Sequence, residues 1–188
     1  MLAVARGWTE QVEWREGTAE DIPFPDGAFD LVASQFALMY FTGRARGLAE
    51  MARVLVPGGR VVVAAWAAVE ECPGYTALID VVGRTIGSGA ADALLAPFSI
   101  GGTDALTDLL TGPFFGIDVH QHPGTARFDS IDAWVHTEVR GWTLADTIDD
   151  EQYDRLLAVA RADLAPFSDS RGRVEFSMPA LIGTGLRR

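Results

Sequence analysis

Residues 61–65 read Val-Val-Val-Ala-Ala, an apolar run with no polar alternation, and Pro57-Gly58-Gly59 stands just before it. A short β-branched run bounded by breakers predicts a strand, here Arg60 to Trp66. The lack of alternation predicts one covered on both faces, as in a parallel sheet. Upstream, Leu48, Met51, Ala52 and Leu55 recur at i, i+3, i+4 and i+7. That period predicts an amphipathic helix from about Gly43 to Leu55, with Thr42 as its N-cap. Before it, Phe29 to Gln35 reads as another strand, following an Asp26-Gly27 turn. Strand, helix, strand in this order predicts a parallel crossover unit and an α/β fold.

The flanking segments are less regular. Leu2 to Gly7 reads as a short helix, with Met1 as an internal helix position, and Val12 to Glu16 as a strand ending at Gly17. Helices are expected over Tyr75–Ile86, Thr103–Leu110 (capped by Thr103), Ser130–Glu138 and Asp150–Leu164. Asp149 and Asp150 supply favourable charge at the start of the last one. A strand is expected over Gly116–His122, and a final strand or hairpin arm over Arg173–Leu186. Strand, helical insertion, strand fits an antiparallel pair closing an otherwise parallel sheet. One domain over 1–188 follows: a core over 1–70, a helical connection over 71–115, and C-terminal strands over 116–188 with a helical insertion at 129–166.

Composition narrows the partners. The 188 residues carry 26 acidic and 15 basic side chains, a net charge of −11, and every basic one is arginine. Nucleic-acid binding needs clustered cations facing phosphates, and an anionic membrane surface needs the same, so neither partner is expected. Cys72 is the only cysteine, which excludes an internal disulfide and suits a reducing cytoplasm. No apolar run approaches the ~20 residues that span a bilayer.

Residues 17–35 are the most informative. Gly17-Thr18-Ala19-Glu20, then Pro23-Phe24-Pro25-Asp26, then Phe29-Asp30 opening a strand, and finally Leu55-Val56-Pro57-Gly58-Gly59-Arg60, stand in that order. This set resembles the S-adenosylmethionine (SAM)-dependent methyltransferases of the Rossmann-like class. The likeness is to the type 11 branch that includes the ubiquinone and menaquinone methyltransferases, and it covers Met1 to about Trp66. It implies SAM as cofactor and a small, apolar methyl acceptor. Ligands of such sheets bind at the carboxyl ends of the strands. By the resemblance Thr18, Ala19 and Glu20 lie on the adenine side, with Thr18 in place of the family's usual Asp. Ser34 and Gln35 meet the methionine end, and Phe36 and Leu38 wall the pocket.

Two family features are absent from the 188 residues: a Gly-rich turn after a first strand, and an acidic residue that holds the ribose. The resemblance therefore implies an N-terminally truncated sheet, starting about two βα units late, or ~60 residues at about 30 per unit. Such a sheet leaves the Leu31–Gln35 strand with a bare edge, a template for pairing. Either Val12–Glu16 pairs there or a second chain covers it, giving a homodimer. The reading that follows is SAM-dependent methyl transfer, with a non-catalytic remnant that keeps a dimerisation or small-molecule surface as the alternative.

The remaining residues carry weaker signals. His120 and His122 share a strand face, but no carboxylate or cysteine stands at ligand spacing, so no metal site is expected. His136 lies on the insertion and is either a general base for an acidic hydroxyl or a surface histidine. Met39, Tyr40, Phe41, Trp66, Trp134 and Trp142 are candidates for an apolar acceptor pocket or for ordinary core. Asp129, Asp132, Asp149 and Asp150 read as helix N-terminal charges, and Cys72 has no activating neighbour in sequence.

Overall fold

The computed structural model describes residues 2–9, 11–142 and 144–188. The position expected for Met1 lies outside them. Strand β1 (Phe29–Gln35) runs parallel to β2 (Leu55–Trp66), joined by helix α2 (Arg44–Val54), so the expected crossover unit is present. The register pairs Ser34 with Val63 and Gln35 with Ala64. Leu55 pairs with Phe29, and residues 56–59 loop out before pairing resumes at Leu31 and Arg60. Gly58 sits at φ 76° in that bulge, where a side chain would be strained.

The main sheet has the order β1-β2-β6-β3, with β6 (Ala180–Arg187) antiparallel to both β2 and β3 (Phe114–His122). The antiparallel final strand is as expected, but β1–β2 is the one parallel pair among the described residues. The expected arm over Arg173–Leu186 is two strands. Met178-Pro179 separates β6 from β5 (Val174–Ser177), which pairs with β4 (Thr125–Phe128) in a sheet of its own. A proline cannot donate to a ladder, so the chain changes sheet there. The helical insertion, α6 (Ile131–Arg140) and α7 (Asp150–Asp163), lies between β4 and β5.

One face of β2 meets the expectation of full cover and the other does not. Val61, Val63 and Ala65 are completely buried, in one core with Leu48 and Met51 of α2 and with Leu106 and Leu110 of α5 (Thr103–Thr111). Gly183 of β6 permits this, because a Cβ there would stand 2.7 Å from the Leu110 side chain. On the opposite face Val62, Ala64 and Trp66 are only partly buried, and Leu31, Ala33 and Gln35 of β1 are exposed.

Residues 12–16 form no strand, and no described residue pairs with the outer edge of β1. The reason is local. Glu13, Arg15 and Glu16 are exposed, while the Arg15 guanidinium donates to the Pro23 carbonyl at 2.6 Å and lies 4.1 Å from the Phe24 ring centroid. The segment is thus held to the following loop. Helix α1 (Leu2–Trp8) buries no residue. Two caps also differ from expectation. Gly43 and Gly102, not Thr42 and Thr103, precede α2 and α5, and neither helix has a side-chain cap.

A second core joins α3 (Pro73–Thr85), α4 (Ser88–Leu95), α6, α7 and the β4–β5 hairpin around Trp134, which is fully buried. Asp149 forms a capping box with Gln152 at the start of α7, so the charge expected there also holds the first turn. No described helix is long and apolar enough to cross a membrane.

Two glycines give opposite outcomes. A Cβ at Gly74 of α3 would overlap the Phe176 ring, so Gly74→Ala should destabilise by ~1–3 kcal/mol. Gly89 of α4 has nothing within 4 Å of the same atom. There, Gly89→Ala should stabilise by ~0.5–1 kcal/mol through helix propensity. Urea denaturation followed by circular dichroism reads both.

Candidate functional site at the carboxyl ends of the parallel pair

Because β1 and β2 run parallel, their carboxyl ends meet at one sheet border. Phe36, just past β1, stacks on Trp66, the last residue of β2, with ring centroids 4.0 Å apart. Phe36 has φ 50°, the one non-glycine with positive φ among the described residues, and its N–H donates to the Ala64 carbonyl at 2.9 Å. A bulky residue in this region is strained, and such strain gathers where a site dictates the chain path. Ser34 is 9% exposed, and its Oγ is sealed from solvent with no hydrogen-bond partner among the described residues. A buried hydroxyl without a partner costs free energy unless something completes it. Gln35 is exposed, and Leu38 is fully buried in the core behind the turn.

The loop carrying Thr18, Ala19 and Glu20 is brought to the same border through α2. The Glu20 carboxylate accepts the Gly43 N–H at 2.9 Å, in the place of the missing cap, and this bond lowers its pKa. Its backbone carbonyl accepts from Arg46 Nε at 3.2 Å. Gly47 makes the approach possible, since a Cβ there would lie 2.5 Å from the Phe41 ring and 3.5 Å from Ala19. Thr18 is exposed, Ala19 half-buried. Thus the Glu20 carboxylate is occupied by the fold, whereas the exposed Thr18 is not.

The rest of the loop is clamped by a buried ion pair. Glu50, 6% exposed, accepts the Ile22 N–H at 3.0 Å and two bonds from Arg53 at 2.8 Å. Arg53 also donates to the carbonyls of Ile22 and Phe24 and to Asp26, at 2.8–2.9 Å. The motif read as Pro-Phe-x-Asp is therefore a frame for backbone carbonyls to be gathered by one guanidinium.

The other candidates separate. Trp134 is core, and Trp142 is 61% exposed. Met39 is buried and Tyr40 is 55% exposed in the turn Leu38–Tyr40 that follows Phe36. His120 and His122 are exposed, with His120 Nδ1 3.7 Å from Asp118 Oδ2. His136 is exposed and edge-on to Tyr153 of α7, with centroids 6.4 Å apart.

A further acidic residue stands on the insertion, outside the ordered motifs. Glu138, on the same helix, is half-buried and accepts from the Tyr75 hydroxyl at 2.7 Å. Ile131, Trp134 and Glu138 lie at i, i+3 and i+7, so a carboxylate falls on the buried stripe of α6. That was the available signal. A groove of about 880 Å³ lies elsewhere, between α6 and the β4–β5 hairpin. Its two guanidinium groups are both paired, Arg127 with Glu175 at 3.0 Å and Arg173 with Asp169 at 2.8 Å.

Comparison with known proteins bears on the N-terminal segment and on the fold. Residues 1–63 match the family described as Methyltransferase domain. A demethylmenaquinone methyltransferase of Thermus thermophilus is 46% identical over 67 residues, covering 34% of this chain and 30% of the relative. A ubiquinone/menaquinone biosynthesis C-methyltransferase of Hahella chejuensis is 44% identical over 69 residues, covering 34% and 28%. The matches thus span less than a third of these methyltransferases' own length. The fold likeness is broader. A Bacillus subtilis protein, YcgJ, superposes with TM-score 0.61 at 18% identity, over 100% of this chain and 78% of its own. A candidate methyltransferase from Bacillus halodurans does so with TM-score 0.57 at 17% identity, over 94% and 78%.

The clamp makes a prediction about acid. Hydrogen bonds from Arg53 hold the Glu50 carboxyl at about 2, against an ordinary 4.5, with desolvation opposing and the Ile22 N–H assisting. As pH falls the unfolded chain takes up this proton first. The stabilisation is therefore complete above about 4.5 and is lost progressively towards 2. Glu50→Gln should lower the melting temperature at neutral pH and flatten its fall across that window, as read by thermal melts in a pH series.

Proposed function

We propose that this chain takes part in transferring a methyl group from SAM to a small, apolar acceptor of the quinone or phenol class. The observation that carries the reading is the sealed, unpartnered Ser34 hydroxyl at the carboxyl end of β1, beside the strained Phe36 turn. The residues present fit one side of the cofactor. Ser34 and Gln35 would hold its methionine end, Phe36 and Trp66 give an aromatic wall, and the exposed Thr18 hydroxyl and Ala19 would meet the adenine. The Gly-rich turn and ribose-binding acid that complete the family's site are not among these 188 residues. Bound there, SAM supplies an electrophilic methyl group on a sulfonium. The protein's part is to hold the acceptor in line with it and to exclude water, which supplies most of the acceleration in a displacement of this kind. The acceptor class comes from the likeness to the two quinone methyltransferases and from the aromatic character of Phe36, Tyr40 and Trp66.

Isothermal calorimetry with SAM tests the reading. Binding in the micromolar range is expected, and Ser34→Ala should weaken it about tenfold, the worth of one buried hydrogen bond. The same variant should leave the melting temperature unchanged or raised, because it removes an unpaired buried hydroxyl. Absence of SAM binding, or equal affinity in the variant, overturns it.

The open edge of β1 favours a second reading, a non-catalytic module that self-associates through that edge. Light scattering should then report a dimer that strengthens with salt, since each copy carries a charge of −11. A monomer at all salt concentrations ends this reading.

A further inference from the structure

The turn Leu38–Tyr40 leads from the strained Phe36 toward Tyr75 and Glu138 by way of Phe98. It packs on the turn Ala96–Phe98, and the Phe98 ring lies 5.1 Å from the Tyr75 ring. Tyr75 of α3 is 7% exposed and spends its hydroxyl on Glu138 Oε1 at 2.7 Å. Glu138 Oε2 makes no hydrogen bond to any described residue. A carboxylate on a buried helix stripe, fixed by one oxygen and free at the other, is arranged to take a proton.

We propose that Glu138 is the general base of this site, accepting at Oε2 the proton of an acidic hydroxyl on the acceptor, with Tyr75 as the positioning residue. The assignment rests on the methyl-transfer reading above and deepens it, because it selects an acceptor whose nucleophile is a phenol-like oxygen. The step balances. The acceptor hydroxyl loses its proton to Glu138 Oε2 as its oxygen lone pair bonds the methyl carbon, and the electron pair of the broken carbon–sulfur bond stays on sulfur. Glu138 then returns the proton to water.

The surroundings suit the role. Burial pushes the Glu138 carboxyl above the usual carboxylate range, and the Tyr75 hydrogen bond pulls against that. A stronger base results, better matched to a phenol at neutral pH. The ionisable groups facing it are Tyr75 from α3 and Tyr40 from the turn after β1. Tyr40 is raised by partial burial and next by the Glu138 charge. Behind Tyr75 lies the Cys72 thiol, pushed up to about 11 by burial first and then by Glu71 and Glu70, so it stays neutral. His136 is two residues away on the same helix but faces Tyr153, and it takes no part.

The test uses 4-nitrophenol as the acceptor probe, titrated across a pH series into the wild type, Glu138→Gln, Tyr75→Phe and His136→Ala, with SAM titrated in parallel. The wild type should bind the phenol best where Glu138 is ionised and the phenol still protonated. Glu138→Gln keeps the side chain's shape and can still accept from Tyr75, yet should lose about tenfold in affinity together with the lower pH limb. Tyr75→Phe removes a bond that favours the carboxylate, so its lower limb should move to higher pH. His136→Ala should match the wild type, and SAM affinity should be equal in all four. Phenol binding unchanged in Glu138→Gln, or a lower limb unmoved in Tyr75→Phe, overturns the assignment. A chain that shows the Glu138-dependent limb without binding SAM keeps the proton-accepting role and loses the methyl-donor reading.

Discussion

Strand β2 carries hydrogen-bond ladders on both sides, parallel to β1 and antiparallel to β6, and the rest of the molecule is arranged by that double commitment. The parallel side requires a crossover, which α2 supplies, and so brings two strand ends to one border. The antiparallel side places β6 inside the sheet, between β2 and β3. Its Gly183 and Gly185 leave room for Leu106, Leu110 and Phe114 to seal one face. Phe36 and Trp66 meet because both strands stop at the same level. Strain at Phe36 is tolerated because its amide is tied into the ladder and its ring is held by the stack.

The charged residues near this border divide by what they already hold. Glu20, Glu50 and Arg53 are acidic and basic groups in the motif-bearing region, yet each is used on backbone: Gly43 N–H, Ile22 N–H, and the carbonyls of Ile22 and Phe24. Their work is to give a proline-bounded loop one conformation. Ser34 and Glu138 differ, because each retains hydrogen-bonding capacity that the fold does not use. Trp14 Nε1, Trp134 Nε1 and Ser168 Oγ are also sealed without partners among the described residues, so Ser34 is set apart by its place at the carboxyl end of β1.

The two faces of the sheet also differ in kind. Where helices α2 and α5 pack, β2 is completely covered. Across from it, Ala33 and Gln35 stand exposed beside half-covered Val62 and Ala64. Apolar pattern alone could not separate these faces, since both sides of β2 are equally apolar. Likewise Val12–Glu16 has strand-like alternation, but a strand needs a partner, and Arg15 ties this segment to Pro23 and Phe24 instead.

The sequence by itself determined the parts governed by local chemistry. The uninterrupted Val61–Ala65 run, the period of α2, the turn glycines and the acidic charge at Asp149 and Asp150 specified the crossover unit and most helices. The ordered motifs from Gly17 to Arg60 pointed to the methyltransferase fold and to Ser34, Gln35 and Phe36. Tertiary structure decided which polar groups were left over. Whether the Glu20 carboxylate faces a ligand or caps α2, and whether His136 or Glu138 looks toward Tyr75, depends on how helices rotate against one another. It also moved the chain to a second sheet at Met178-Pro179. Helix rotation is set by packing between residues far apart in the chain, such as Gly47 with Phe41 and Ala19, or Gly74 with Phe176, and no local pattern encodes it.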